Sequence, residues 1–198
     1  MKTLNLSKIK YLALVSALLV IVGCGSSPTV KYADTKAVET VNTDFGSTDL
    51  QTIAEKMTGS LLESRTVLDS REPPVVTLYP VKNKTSDYID TNAITTRIRG
   101  RLVRSGRVQF VASTSEMQNQ VDELKRQNQN GLYSSQSQVA MGQMTGAQYR
   151  LEGFITSIVK QNKDVKDVFY TFHLTLFNNK TGVIVWEDEQ DIRKTASR

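Results

Sequence analysis

Val168-Phe169-Tyr170-Thr171-Phe172-His173-Leu174-Thr175-Leu176-Phe177 is the stretch whose reading decides the fold. Val168, Tyr170, Phe172, Leu174 and Leu176 fall on one face, at the two-residue period of a strand with one side against a core. Tyr149 to Val159 alternates in the same way through Tyr149, Leu151, Gly153 and Ile155. Beyond the turn Asn178-Asn179-Lys180-Thr181-Gly182, Val183 to Trp186 reads as a last strand that extends toward Ile192. Three such strands joined by turns make an antiparallel meander.

Upstream the period changes. Leu50, Ile53, Ala54, Met57 and Leu61 recur at helical spacing behind Ser47, a residue suited to capping. Arg65 to Glu72 reads as a polar loop, and Val75 to Val81 as a buried strand with Pro80 near its end. Asp90 or Thr91 opens a second helix with Ile94, Ile98 and Leu102 inward; Ser105-Gly106 stops it before the short strand Val108–Val111. Strand, helix and strand in this order predict a right-handed βαβ unit with parallel strands. Ser113-Thr114-Ser115-Glu116 fits a capping box for a third helix, and Ser135 to Thr145 reads as a fourth. The expected architecture is a single α/β domain over residues 47–198. Its mixed five-stranded sheet combines the parallel βαβ unit with the meander and is packed with about four helices.

The amino terminus has a different character. Lys2, Lys8 and Lys10 precede an apolar run from Tyr11 to Val22, and Ile21-Val22-Gly23-Cys24 follows the run. A dozen apolar residues are too few for a spanning helix, which needs about 20. The layout is that of an export signal. The tetrapeptide resembles the lipobox of bacterial lipoproteins, which implies a diacylglyceryl group on the Cys24 sulfur, cleavage after Gly23 and acylation of the new terminus. Residues 1–23 are therefore expected to be a signal peptide. Residues 24–46 are expected to be a flexible tether, rich in Gly, Ser, Thr and Asn with one proline, Pro28. Such a tether reaches about 75 Å when stretched and about 25 Å as a coil. Gly25 after the cysteine, by analogy with Gram-negative sorting, points to the outer membrane, with the domain facing the periplasm.

Composition narrows the function classes. The formal net charge of +5 includes the three amino-terminal lysines, so the mature chain is near neutral and carries no nucleic-acid signature. Cys24 is the one cysteine, which leaves no internal disulfide. With one histidine, His173, and no Gly-x-Ser-x-Gly, His-Glu-x-x-His or phosphate-cradling loop, the chain is not expected to be an enzyme, nor to use a cofactor or metal. Glu187, Asp188, Glu189 and Asp191 alternate along a strand, which suits a solvated edge better than a metal site.

Two groups of residues are candidate binding sites. Arg97, Arg101 and Arg104 recur along one side of the second helix, as a solvated face or as a basic docking strip. Asn83 and Lys84, with Thr85, stand at the carboxyl end of a strand expected to be parallel to its neighbour. Ligands often bind at such ends, and Asn and Thr equally fix turns through side-chain hydrogen bonds.

Several segments resemble one family in the right order. Val81-Lys82-Asn83-Lys84-Thr85 looks like an Asn-(Lys/Arg)-Thr signature. Ser105-Gly106-Arg107-Val108-Gln109-Phe110-Val111 resembles its helix-stop-strand passage, and Ala140-Met141-Gly142 with Gly146-Ala147-Gln148-Tyr149 its helix ending before a strand with Tyr. Lys180-Thr181-Gly182-Val183-Ile184-Val185-Trp186 resembles its Thr-Gly-x-Ile-x-Trp hairpin. The family is the LpoB family of penicillin-binding protein activators. The resemblance implies a fold like the TolB amino-terminal domain, here as a monomer. It also implies an outer-membrane lipoprotein that binds and stimulates a bifunctional peptidoglycan synthase, a penicillin-binding protein, and so regulates cell-wall synthesis and cell shape. The best-known members carry a long proline-rich linker, where this chain has a short one. The alternative is a structural or assembly lipoprotein of an envelope complex, of the CsgG or TolB kind.

Overall fold

The structure is a computed structural model; it describes residues 30–129, 131, 133–134 and 145–197. A compact unit begins at Lys36, and the described residues before it, 30–35, are exposed. In chain order the unit contains α1 (Ser47–Glu63), α2 (Arg65–Leu68), β1 (Val75–Leu78), β2 (Lys82–Asn83), α3 (Thr91–Arg104), β3 (Gln109–Phe110), α4 (Thr114–Gln129), β4 (Tyr149–Gln161), β5 (Val165–Asn178) and β6 (Ile184–Ser197). The predicted helix over 135–145 lies outside the described residues apart from its last position.

The sheet runs β3-β1-β4-β5-β6. Strands β1 and β3 are parallel, as are β1 and β4, while β4, β5 and β6 form the antiparallel meander. This is the mixed α/β sheet expected from the two periods. It has a sixth strand, because Pro80 interrupts the predicted Val75–Val81 strand and pairing with β4 resumes at Lys82. Leu78 lies beside Leu151, and Lys82 lies beside Phe154. Four steps on one strand thus match three on the other, the geometry of a bulge. The bulge reverses the alternation. Val76 is buried before it; after it Val81 is buried and Lys82 is exposed.

One face of the meander builds the core. Val168, Tyr170, Phe172, Leu174 and Leu176 of β5 are all buried, beside Leu151 and Ile155 of β4. Against them pack Ile53, Ala54, Met57 and Leu61 of α1 and Ile94, Ile98 and Leu102 of α3. Each such fully buried side chain contributes about 1.5–3 kcal/mol. Trp186 is partly buried against this cluster. Gly153 lies within the alternating face for a steric reason: a Cβ there would stand 2.6 Å from the His173 carbonyl oxygen and 2.9 Å from the Leu174 Cδ1.

Caps bound the helices much as the residues dictate. Asp90 accepts from the Asn92 and Ala93 amides at 3.0 and 3.2 Å, and Gly106 leaves α3 at φ +69°. Ser113 and Glu116 form the capping box of α4 reciprocally, at 2.9 and 3.3 Å. The start of α1 differs from the expectation. Ser47 is its first residue, and its amide donates to the carboxylate of Glu39 at 2.7 Å. An anion at that place also suits the helix dipole. The polar stretch after α1 contains the short helix α2 because Val67 reaches the core.

The segment before α1 has no regular structure, yet it packs on the domain. Thr43 is buried, and the Phe45 ring meets Tyr170 edge-on at 5.8 Å. Lys194, near the end of β6, donates to the Asp44 carbonyl at 2.6 Å and to the Asp49 carboxylate at 3.0 Å. Asp49 Oδ2 also accepts from the Gly46 amide at 2.8 Å.

Candidate functional site

The two predicted groups lie in different layers. Ile94, Ile98 and Leu102 bury one side of α3, so Arg97, Arg101 and Arg104 are left on the other. There they line an open groove of about 1030 Å³ together with Leu50 and Thr58 of α1 and Thr96 and Gly100 of α3. Arg101 has a distant partner, the exposed Glu55 carboxylate at 4.0 Å. Arg104 folds back along the helix, so that a Cβ on Gly100 would lie 3.3 Å from its guanidinium. Among the described residues, neither Arg97 nor Arg104 pairs with a carboxylate. The capping carboxylate of Asp90 also lines the groove, so three arginines against one acid leave it an excess of positive charge, a chemistry suited to an acidic partner.

Asn83 has a structural part. Its Oδ1 accepts from the Thr85 amide at 2.9 Å and the Thr85 hydroxyl at 2.8 Å, and its Nδ2 donates to the Asp87 carbonyl at 2.8 Å. This turn places Asp87 where its carboxylate accepts from the buried Tyr170 hydroxyl at 2.8 Å. Burial first, and then that hydrogen bond, hold the Tyr170 pKa well above the ordinary tyrosine range. The Asn-Lys-Thr turn is thus fastened to the core, with Lys84 at its exposed position.

Lys84 projects to the side of the sheet away from α1 and α3. Its ammonium sits 3.7 Å above the centre of the Phe154 ring. Phe154 is stacked on His173 at 4.5 Å, and His173 Nδ1 lies 3.4 Å from a Glu189 carboxylate oxygen. A row of side chains therefore crosses β2, β4, β5 and β6. Next to it the Arg150 guanidinium covers Phe177 at 4.2 Å and pairs with Glu152 at 2.7 Å. The signal for this second surface is Phe154, Phe169 and Phe177 standing on the otherwise polar phase of the alternating strands.

Glu187, Glu189 and Asp191 share this outer face, and Asp188 alternates to the other. The three are engaged with Thr175, His173 and Thr171 of β5. No cluster of three or more metal-ligating side chains occurs among the described residues. No helix among them is long and apolar enough to cross a membrane. Cys24 lies outside the described residues.

Solved structures resemble this chain at low identity. The LpoB C-terminal domain from Salmonella enterica shares 20% identity, over 74% of this chain and 99% of that one, with a TM-score of 0.46. The LpoB C-terminal domain from Escherichia coli gives 19%, 74%, 99% and 0.44. Lipoprotein GNA1162 from Neisseria meningitidis gives 13%, 63%, 85% and 0.40. A comparison with curated proteins gives no match. The family model described as peptidoglycan-synthase activator LpoB matches residues 49–192, from the first turn of α1 to the latter half of β6. That match takes in the Asn-Lys-Thr turn and all of the sheet except the end of β6, and the chain belongs to the LpoB family of peptidoglycan-synthase activators.

Proposed function

We propose that this chain is an outer-membrane lipoprotein, anchored through acylated Cys24 after loss of residues 1–23, whose domain binds and stimulates a bifunctional peptidoglycan synthase in the periplasm. The observation that carries the reading is the family match over residues 49–192. The domain acts by binding, as a monomer, without a cofactor. Its docking strip is the arginine groove of α3, where Arg97 and Arg104 offer charge to an acidic surface of the synthase. Exposed charge pairs contribute about 1 kcal/mol or less each. Reversing Arg97 and Arg101 together is therefore expected to lower the affinity by about fivefold to about thirtyfold.

The test measures glycan-strand polymerisation by a purified bifunctional synthase from the same cell envelope, with and without the chain. The rate is expected to rise with the wild type and to need more protein with the Arg97→Glu/Arg101→Glu variant. An unchanged rate at saturating chain refutes the activator reading. An equal response to both proteins moves the docking face elsewhere.

A further inference from the structure

The outer face of the sheet carries a second groove, of about 590 Å³, lined by Tyr79 and Pro80 of the bulge, Lys82, Lys84, Phe154 and Phe177. This volume is in the range that holds small ligands. Its charge is one-sided. Glu152, the acid in its wall, is satisfied by Arg150 at 2.7 Å. Among the described residues Lys82 and Lys84 have no carboxylate partner. The Lys84 ammonium is held over the Phe154 ring. Cation–π contact fixes its position while leaving N–H donors directed outward, since the ring engages one side of the ammonium only. Two aromatic walls, Phe154 and Phe177, are half-buried, and Tyr79 is half exposed at the rim.

We infer that this groove is a binding site for the carboxylate-bearing stem peptide of peptidoglycan, with Lys84 and Lys82 receiving its carboxylates and the aromatic walls its methyl groups. The charge complementarity calls for an anion, and the recessed apolar walls call for one that carries small alkyl groups. A membrane surface fits less well, because Phe154 and Phe177 line the groove instead of standing proud of it. The choice of a cell-wall peptide rests on the activator reading. The site lies on the opposite face of the sheet from α3, so synthase and peptide can be held together.

The test uses the full-length chain in detergent micelles and purified sacculi as the probe. The wild type is expected to cosediment with intact sacculi and to be released by free disaccharide-pentapeptide. It is expected to ignore peptide-free glycan strands, released from sacculi by an amidase and coupled to beads. Lys84→Glu should weaken cosedimentation about tenfold, the scale of one hydrogen bond to a charged group. Lys84→Arg, and Lys163→Glu at the remote β4–β5 turn, should retain it. Equal binding by Lys84→Glu, equal binding to the bead-coupled peptide-free glycan, or binding to phosphatidylglycerol vesicles in place of sacculi would overturn the assignment. Synthase stimulation measured on the same proteins separates the two ideas. Stimulation without sacculus binding sinks the groove alone, and sacculus binding without stimulation sinks the activator reading.

Discussion

Lys194→Met should unfasten the segment before α1. Lys194 is 14% exposed and Asp49 6%, so the pair is largely out of water. Methionine preserves the apolar stem and removes the ammonium. Asp49 then keeps its charge in a buried place, and the Asp44 carbonyl loses a donor at 2.6 Å. Breaking one partner of a buried pair costs about 3–5 kcal/mol. The Gly46 amide still donates to Asp49 Oδ2 at 2.8 Å and offsets part of this, which brings the expected loss to about 2–3 kcal/mol. In a domain of this size each kcal/mol moves the melting temperature by about 2–4 °C. Urea unfolding followed by circular dichroism measures the loss directly. The double variant Lys194→Met/Asp49→Asn should lose less than the two single changes added together, because the buried charge is gone with its partner. A loss under about 0.5 kcal/mol for the single variant, or strict additivity in the cycle, would refute the reasoning.

Three further changes probe other parts of the molecule. Gly153→Ala places a methyl 2.6 Å from the His173 carbonyl and should cost about 1–3 kcal/mol in the same unfolding assay, although alanine elsewhere in a strand is harmless. Glu116 is held well below the usual carboxylate range, at about 2, by the Ser113 amide, then the Ser113 hydroxyl and Arg99. Its folded pKa is depressed, so its contribution is present above the ordinary value of 4.5 and is lost as pH falls toward about 2. Because the side chain is exposed, the effect is under about 1 kcal/mol, and acid titration of the wild type against Glu116→Gln should show it as a difference confined to that window. Cys24→Ser should abolish palmitate labelling and leave an uncleaved precursor in fractionated cells.

The elements easiest to read from sequence were those whose residues repeat locally. Strand β5 alternates over ten residues, and α3 has its Asp90 cap, its inward Ile94, Ile98 and Leu102, and its glycine stop. Strand β6 runs beyond the Ile192 that the sequence predicts, because Glu187 to Lys194 is a poor strand by composition and pairing along the whole of β5 overrides that preference. Strand β2 was hidden because two residues carry no period. The attachment of residues 37–46 was invisible for another reason. It depends on single groups, the Thr43 and Asp44 carbonyls and the Phe45 ring, whose partners Tyr170 and Lys194 are more than a hundred positions away. The arginine strip was legible because helical spacing alone places Arg97, Arg101 and Arg104 away from the apolar side. The outer groove was not, since its walls come from a bulge and three strands.

The break at Pro80 makes chain length itself carry chemical information. Before it, even-numbered residues such as Val76 point to the core; after it, Val81 does, and Lys82 and Lys84 are turned outward. The two halves of one strand are out of phase by a single position. Deleting one residue between Leu78 and Lys82 would set three steps against three, removing the bulge while Lys82 stays beside Phe154 and Val81 stays inward; pairing at the present length without a bulge would instead drive two lysines toward an apolar interior and expel Val81. A relative one residue shorter here would present the same face without a bulge, whereas one of this length that paired without a bulge would present the opposite face while keeping every motif intact. Comparison of such relatives therefore needs spacing across this junction as much as the identity of the residues that flank it.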